Sequence, residues 1–368
     1  MIVTDRAEHV ELRSAVRKLL EQESPIDRVV AHAESDTGYD PQLWRRLAQE
    51  IGVAGLSVPE RFGGAGAGAH EAAVVAEELG RSLVCTPYLS TVALASNVLL
   101  ASGDEAACAK YLPGIAAGEL TATVVYRAAD GDVSPVALPI EARDGRMHGT
   151  AQFVLDGHSA EVVFVVARNG SGAQLFAVDG ATTGLTRERM RTLDHTRVQA
   201  RLSFDGVAAT PIGAGEDAWP WLEYALLHAT VLLAASQVGG AEHALDSAVD
   251  YAKLRRQFGR TIGSFQAIKH RCADLAVEND RARSALVHAT WAAAEGDGAR
   301  LREAAAMAAL VCGPAFVQAA QEAIQIHGGI GFTWEHPAHR YFRRAKADMF
   351  ALDNPRSYQE RLLAALGA

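Results

Sequence analysis

Cysteine is scarce in this sequence, and the short signatures of several common enzyme classes are missing. The four cysteines are scattered along the chain, at Cys85, Cys108, Cys272 and Cys312. No two of them have the Cys-x-x-Cys spacing of a zinc site, so we expect neither a structural metal nor a disulfide framework. The sequence also contains no Gly-x-Ser-x-Gly, no Walker loop and no His-Glu-x-x-His, so none of these motifs marks an active site.

Positive charge is also in deficit. The 35 Lys and Arg residues are outnumbered by 44 Asp and Glu residues, which leaves a formal net charge of -9. Nucleic acids and anionic membranes are bound by basic faces, because their phosphates need neutralising charges. The composition therefore predicts no nucleic-acid partner and no anionic membrane partner.

Long apolar runs are absent as well. The best one, YALLHATVLLAAS, contains His228 and is shorter than the roughly 20 residues that a membrane span needs. The first residues, MIVTDRAEHVELRS, lack the basic start and the apolar stretch of a signal peptide. We therefore expect a soluble, cytoplasmic protein without a membrane span.

The apolar pattern divides the 368 residues into units, as expected for a chain longer than one core usually supports. Residues 1–118 have the helical period, for example in EHVELRSAVRKLLEQES. One helix is predicted to begin at Asp40, a suitable N-cap followed by Pro41, and to end near Gly52. Another is predicted to end at Gly80, since glycine commonly follows the last turn of a helix. We interpret this part as an N-terminal helical domain.

Residues 119–215 have a different pattern, made of short β-branched runs such as AEVVFVVAR and VQARLSFDGV. Asp144 and Gly145 lie between two of these runs and predict a tight hairpin turn. Because no helical segment separates the runs, we expect a central antiparallel β-barrel domain.

Residues 216–368 return to the helical period, with three long helices and a fourth from residue 335 onward. Three antiparallel helices and a fourth are typical of a C-terminal four-helix bundle. The predicted fold class is therefore α+β multidomain, with a β domain between two helical ones.

Two segments near the ends of the long helices could bind a ligand. YAKLRRQFGRTIGSFQ places a glycine-bearing turn among Arg255, Arg256 and Arg260. Arginine side chains and the N–H groups of the next helix could hold a pyrophosphate. The alternative is a helix corner with solvated arginines, and spacing alone favours it. In QIHGGIGF, Gly328 and Gly329 would let a ligand approach the backbone, although a simple helix stop also explains them.

Other polar and aromatic residues are given structural roles at this level. Trp334, His336 and His339 are expected on a packed face, with no second cluster at metal spacing. Asp194 and Arg197, in LDHTR, are interpreted as a surface or interdomain pair. The segment SVPERFGGAG predicts a tight turn, and a plain connector explains it equally well.

The whole chain resembles the acyl-CoA dehydrogenase family. The resemblance lies in LWRRLAQEIGVAGLSVPERFGG with EELGRSL, in AVDYAKLRRQFGRTIGSFQ, and in QIHGGIGFTWEHPAHRYFRRAK, which occur in the family's order and separation. It implies the three-domain architecture, a dimer or tetramer, and FAD. It also implies oxidation of an acyl-CoA thioester between its α and β carbons, with a flavin as hydride acceptor and a carboxylate as base.

The resemblance also implies FAD contacts that one subunit makes to the cofactor of its neighbour. In the family, the helix corner and the glycine loop reach the adenine and pyrophosphate of the neighbouring subunit's FAD. The matching positions here are Arg255, Phe258, Ile262, Phe265, Gln266, Gln325, Ile326, Gly328 and Gly329. This half of the cofactor site is predicted to be intact.

The catalytic base of the family does not match. The usual Glu after the glycine loop falls on Leu352, and the alternative Glu at the start of the first bundle helix falls on Ala229. Neither side chain accepts a proton. Asp353 is adjacent to the first position and remains a weak candidate for the base, because its shorter side chain would require the loop to move.

The residues that contact the flavin ring in the family are also replaced. The region of Thr-Glu-Pro and Gly-Ser-Asp reads VVYRAADGDVSP here, and the Trp-Ile-Thr loop reads FVLDGHS. The arginine near the acyl-CoA falls on Thr230. The flavin bed that a chain supplies to its own cofactor is therefore predicted to be lost.

Four functional hypotheses are consistent with this pattern. The first is a partner subunit that pairs with a second, catalytic acyl-CoA dehydrogenase-like chain in an α2β2 assembly and contacts that chain's FAD, as in actinobacterial heteromeric steroid side-chain enzymes. The second is a homomeric acyl-CoA dehydrogenase that uses Asp353. The third is another flavin reaction on this fold, such as that of an oxidase or monooxygenase. The fourth is a flavin-free structural or regulatory descendant.

Overall fold

The units follow one another along the chain as helices, a sheet and helices again. The computed structural model describes residues 6–170 and 172–367. The first part is helical, strands follow from Ala122 to Ile212, and long helices begin at Trp219. This order confirms the α+β multidomain class that the sequence predicts.

Six α-helices form the N-terminal unit within the described residues. Their bounds are α1 Ala7–Glu23, α2 Ile26–Glu34, α3 Pro41–Arg46, α4 Ala69–Arg81, α5 Asn97–Ser102 and α6 Glu105–Ala116. The start of α3 is the predicted one, because the Asp40 carboxylate accepts the N–H groups of Gln42 and Leu43 at 2.8 and 3.3 Å. A π-helical turn continues α3 to Ile51, and Gly52 ends it with a φ of 81°.

The central unit is a sheet of eight strands within the described residues. The strands are β1 Ala122–Val125, β2 Ile140–Arg143, β3 Arg146–Leu155, β4 Val162–Asn169, β5 Gly172–Asp179, β6 Leu185–Arg189, β7 Gln199–Ala208 and β8 Thr210–Ile212. Their order is β6-β7-β3-β2-β4-β5-β8, with β1 beside β4. The predicted hairpin joins β2 to β3, with Asp144 and Gly145 at φ values of 50° and 72°. Most neighbours are antiparallel as predicted, but β1 and β2 run parallel to β4.

Long helices form the C-terminal unit. They are α7 Trp219–Leu254, α8 Gln266–Glu295, α9 Gly298–His327, α10 Ala338–Asp348 and α11 Pro355–Ala365. α7, α8 and α9 pack against one another, and α10 and α11 both pack on α9. The predicted fourth helix is therefore two shorter helices, separated by a loop at residues 349–354.

Two helical segments are long and apolar enough to cross a membrane by length and composition alone. They are Trp219–Leu254 and Gly298–Phe332, and their most apolar windows are 89% and 56% buried. The first includes YALLHATVLLAAS and is one of the long helices that the sequence predicts, although that apolar run alone is shorter than a membrane span. Its position in the centre of the bundle accounts for its composition, because a helix surrounded by other helices is apolar on all sides.

The prediction that Gly80 ends a helix is wrong. Gly80 lies inside α4, where a Cβ atom would come within 2.0 Å of the Ser236 carbonyl oxygen on α7. A Cβ atom at Gly239 of α7 would come within 1.9 Å of the Glu77 carbonyl oxygen on α4. These glycines therefore allow α4 and α7 to pack backbone to backbone, which joins the N-terminal unit to the bundle.

A buried network of charged groups joins the sheet to α10. The Arg344 guanidinium donates to the Asp194 carboxylate at 2.8 Å and to the Thr196 carbonyl oxygen at 2.9 Å. Arg197 donates to the Asp348 carboxylate at 2.9 Å. Asp194 and Arg197 are thus interdomain groups, as the sequence suggests, but each pairs with α10 and not with the other. Burial raises the pKa of Asp348.

Loss of one partner from this network should destabilise the protein strongly. We expect Asp194→Ala to lower the free energy of unfolding by about 3–5 kcal/mol, because it leaves the buried Arg344 guanidinium without its carboxylate. The matched control is Arg356→Ala, which breaks an ion pair with Glu360 on the exposed face of α11 and should have little effect. Thermal unfolding of the full chain measures both variants, and equal shifts would contradict a structural role for the network.

Candidate functional site

The helix corner and the glycine loop lie at the same end of the bundle. α7 ends at Leu254 there, α8 begins there, and α9 ends there at His327. The Tyr251 ring of α7 is 4.4 Å from the His327 ring, which is 4.2 Å from the His336 ring after the glycine loop. The structure therefore brings together the two segments that the sequence singles out.

The corner itself is a tight hairpin. Two short strands, Arg256–Gln257 and Arg260–Thr261, pair antiparallel across it. Phe258 and Gly259 form its turn with φ values of 51° and 80°, and Phe258 is 92% exposed. The Arg260 guanidinium lies 3.9 Å from the centre of the Phe265 ring. The fold thus fixes the hairpin and leaves its turn accessible.

The side chains of the corner divide into exposed and packed groups. Arg255 and Gln266 are exposed, on either side of the turn, whereas Ile262 and Phe265 are half-buried. Ile262 packs on the core between α7 and α9. The exposed pair can contact a second molecule, and the half-buried pair holds the corner on the bundle.

The glycines of the loop have two different roles. Gly328 has a φ of 66°, and added Cβ atoms at Gly328 or Gly329 would meet nothing within 4 Å. Gly331 is buried, and a Cβ atom there would come within 2.8 Å of the His327 side chain. The first two glycines leave the backbone open to a ligand, while Gly331 serves packing.

Gln325 and Ile326, in the last turn of α9 before the glycine loop, differ in exposure. Gln325 is exposed near the end of α9, and Ile326 is 4% exposed in the core beneath it. Gln325 can therefore reach a ligand at the bundle end directly. Ile326 acts only through the packing of the loop.

Aromatic side chains are exposed around the loop. Phe332 is 82% exposed and Trp334 is 66% exposed, so the expectation that Trp334 lies on a packed face is wrong. The guanidinium groups of Arg343 and Arg340 lie 4.5 and 5.6 Å from the centre of the exposed Trp334 ring. Phe258, Phe332 and Trp334 are thus three large apolar side chains exposed on the two segments at this end of the bundle.

The positions where the base would lie are packed with other side chains. Leu352 is 1% exposed and Ala229 is fully buried. The Tyr126 hydroxyl donates to the Leu352 carbonyl oxygen at 3.1 Å, and the Tyr358 hydroxyl is 3.4 Å from Thr230 Oγ1. Burial raises the pKa of Tyr358 to about 12. These side chains hold the loop between α10 and α11 against β1 and α7.

Asp353 is buried and fully engaged. Its Oδ1 accepts the Asn354 N–H at 2.7 Å, and its Oδ2 pairs with the Arg361 guanidinium of α11. Asn354 in turn caps α11 by accepting the Ser357 N–H at 3.0 Å. The carboxylate therefore shapes the start of α11. The sequence analysis missed this ion pair, because a buried pair and an exposed pair can have the same spacing in the sequence as Asp353 and Arg361.

A cleft of about 800 Å³ lies between the sheet and α10. Its lining includes Arg127, Asp130 and Phe153, which belong to the two segments where the family's flavin contacts are replaced. Arg127 Nη1 donates to the Phe350 carbonyl oxygen at 2.7 Å across the cleft, and its buried Nε has no partner among the described residues. The cleft has room for a ligand, but Arg127 crosses it.

Curated relatives match almost the full length of the chain. Acyl-CoA dehydrogenase IpdE2 of Mycolicibacterium smegmatis is 37% identical over 96% of this chain and 97% of its own length. Acyl-CoA dehydrogenase IpdE2 of Mycobacterium tuberculosis is 36% identical over 98% of both.

Solved structures match over a similar extent. A variant of the Tcur3481-Tcur3483 steroid ACAD superposes with a TM-score of 0.87 at 31% identity, over 98% of both chains. The ChsE4-ChsE5 complex from Mycobacterium tuberculosis has a TM-score of 0.88 at 28% identity, over 100% of this chain and 99% of that one. Butyryl-CoA dehydrogenase from Megasphaera elsdenii has the same fold, with a TM-score of 0.90 at 23% identity over the whole of both chains.

Family models agree with these matches at both ends of the chain. The model of the acyl-CoA dehydrogenase N-terminal domain matches residues 6–119, and that of the C-terminal domain matches residues 217–352. The resemblance seen in the sequence is thereby confirmed. The chain belongs to the acyl-CoA dehydrogenase family of FAD-dependent oxidoreductases.

Proposed function

We propose that this chain is the partner subunit of a heteromeric acyl-CoA dehydrogenase, in which a second chain supplies the catalytic base. The observation that carries the proposal is a contrast within the structure. Leu352, Ala229 and the engaged Asp353 close the position of the base, whereas the bundle end with Arg255 and Gly328 is preformed and exposed. A surface of this kind completes a site on another subunit.

The residues of this chain suit one half of an FAD molecule and not the other. At the bundle end, the open backbone at Gly328 and Gly329 and the exposed Arg255 suit a diphosphate, which binds N–H groups and guanidinium. In the cleft beside the sheet, Arg127 and Asp130 replace the hydroxyl and backbone contacts of a flavin ring. The chain therefore suits the nucleotide half of an FAD whose ring lies in another subunit.

When bound, the flavin supplies the oxidising power, by accepting a hydride from the acyl-CoA β-carbon. In this proposal, Arg255 and Gln266 bind and orient the nucleotide half, and Phe258 and Gln325 lie beside it. Ile262, Phe265 and Ile326 support them from the core. The α-proton is taken by a carboxylate of the partner. The expected assembly is a tetramer of two unlike pairs in the cytoplasm.

A steroid acyl-CoA is the substrate class that we propose for the complex. One solved relative supports it, since it is described as a steroid ACAD. The ChsE4-ChsE5 relative is described as a complex and supports the heteromeric assembly. The bond oxidised would lie between the α and β carbons of a thioester. In this chain the position of the base holds the buried side chain of Leu352, which cannot take up the α-proton.

The proposal predicts that turnover depends on the partner and not on Asp353. The full chain is expressed alone and together with a dehydrogenase-like chain that carries the catalytic Glu, and acyl-CoA oxidation is followed with an artificial electron acceptor. We expect turnover only from the complex. Asp353→Asn should leave turnover of the complex within about twofold, because its carboxylate engages Arg361 and not substrate.

Two results would point to a different function. Turnover by the chain alone that falls about 100-fold or more in Asp353→Asn would show a homomeric dehydrogenase with Asp353 as the base. Absence of flavin and of turnover both alone and in the complex would leave a structural descendant. Either result would reject the partner role.

A second prediction concerns the nucleotide contact. In the complex, Arg255→Ala should weaken FAD binding about 10- to 100-fold, because it removes a charge-assisted hydrogen bond to phosphate. The matched control is Arg281→Ala, which removes an exposed arginine of α8 paired with Glu278 far from the corner. FAD affinity is measured by fluorescence after removal of the cofactor. Equal affinities in the two variants would argue against a contact at Arg255.

A further inference from the structure

The segment that follows β1 holds the loop between α10 and α11 at two points. The Tyr126 hydroxyl donates to the Leu352 carbonyl oxygen at 3.1 Å, and Arg127 Nη1 donates to the Phe350 carbonyl oxygen at 2.7 Å. The two bonds differ in their surroundings, because Tyr126 is 6% exposed in the core, whereas Arg127 and Phe350 both line the cleft between the sheet and α10. The second bond therefore joins the two walls of that cleft.

The other lining residues of the cleft suit a planar ring. They include Phe153, Met190, Phe342 and Phe350. Flat aromatic molecules pack well against aromatic rings and thioethers. The volume of about 800 Å³ is also within the range of sites for small organic ligands. By size and lining, the walls are therefore those of a ring-binding cleft.

The sheet holds one of these residues, Phe153, in a costly conformation. Phe153 lies at a bulge where the register between β3 and β7 shifts, between Ala151 and Val154, and its φ is 58°. A bulky residue rarely has a positive φ, and strained positions of this kind cluster at ligand sites. The Phe153 N–H is directed to Met190 Sδ at 3.4 Å. The bulge thus brings together two of the apolar residues that line the cleft.

The Arg127 side chain is fixed by its surroundings. Its Nε is shielded from solvent and has no hydrogen-bond partner among the described residues. Gly131 has a φ of 91°, and a Cβ atom there would come within 3.0 Å of Arg127 Nη2. The guanidinium thus lies against the backbone at Gly131 on one side and binds the Phe350 carbonyl on another. It cannot move aside without losing these contacts.

A ring in the cleft and the bridging guanidinium would compete for the same space. A planar molecule that enters between the walls must separate Arg127 from the Phe350 carbonyl, which leaves that carbonyl without its donor. Loss of a hydrogen bond from a charged donor weakens binding by about 10- to 100-fold. The bridge is therefore sufficient to exclude a ring that the rest of the lining would accept.

We propose that Arg127 is the residue that keeps this chain's own cleft free of a flavin ring. Its guanidinium bridges the cleft to Phe350, whereas Phe153, Met190 and Phe342 retain a surface on which a ring can stack. The inference rests on the proposed partner role, in which the flavin ring lies in another subunit. It adds a specific cause, which is one side chain that can be removed.

The test uses riboflavin, which carries the ring without a phosphate, and follows its fluorescence on titration with the purified full chain. Arg127→Ala should bind riboflavin at least about tenfold more tightly than the unmodified chain, because no hydrogen bond has to be broken on entry. The matched control is Arg191→Ala, which removes an exposed arginine from the same cleft lining. It should bind riboflavin no better than the unmodified chain.

Two further variants keep the test decisive. Phe153→Gly combined with Arg127→Ala should abolish the gain in affinity, because it removes a ring on which riboflavin stacks, and glycine adopts the positive φ without strain. Arg127→Gln is too short to reach Phe350 but stays polar, and it replaces Arg127→Ala if thermal unfolding shows that the alanine variant does not fold.

Three results would overturn the inference. Unchanged riboflavin affinity in a folded Arg127→Ala or Arg127→Gln chain would reject the role of Arg127 and leave the partner role standing. A gain that persists in the double variant would place riboflavin outside this cleft. Binding by the unmodified chain that matches that of Arg127→Ala would contradict both the inference and the proposed function, since the cleft would already accept a ring.

Discussion

The contact between Arg344 of α10 and the Asp194–Thr196 turn of the sheet is the constraint on which the rest of the arrangement depends. Arg344 is 4% exposed and Asp194 is 2% exposed, so neither can lose the other without leaving a charge in the protein interior. α10 has the glycine loop before it and the Leu352 loop after it. By fixing the middle of α10, the contact sets the position of both loops.

The two loops have opposite characters as a result. The loop after α10 is drawn inward, where Tyr126 donates to the Leu352 carbonyl and Arg361 pairs with Asp353. The loop before α10 is turned outward, with Gly328 and Phe332 exposed. This physical asymmetry, and not the missing Glu alone, is the basis for assigning it a partner role.

Local chemistry made much of the fold predictable. A helix begins after Asp40, whose side chain caps it, and ends at Gly52, which adopts a left-handed conformation. Asp144 and Gly145 form a hairpin turn because both adopt positive φ angles. These features depend on neighbours in sequence. The prediction at Gly80 was wrong because this glycine allows α7 to approach α4. The two contacting segments are more than 150 residues apart in the sequence, so no local pattern indicates the contact.

The candidate site shows the same division. The corner and the glycine loop were recognisable from their residues, and the structure adds that they adjoin and are exposed. The parallel pairing of β1 with β4, the exposure of Trp334 and the pairing of Arg197 with Asp348 all depend on long-range packing. The engagement of Asp353 was likewise invisible, because a carboxylate beside an expected base position looks the same in sequence whether it is free or paired.

The central claim is that this chain contributes half of a cofactor site and holds no complete site of its own. Native mass spectrometry of the co-expressed complex tests it most directly, since the mass gives the number of FAD molecules and of each chain in one measurement. The account predicts one FAD for each pair of unlike chains, and none on the chain purified alone. One FAD for every chain, or a full complement on the homomer, would contradict it.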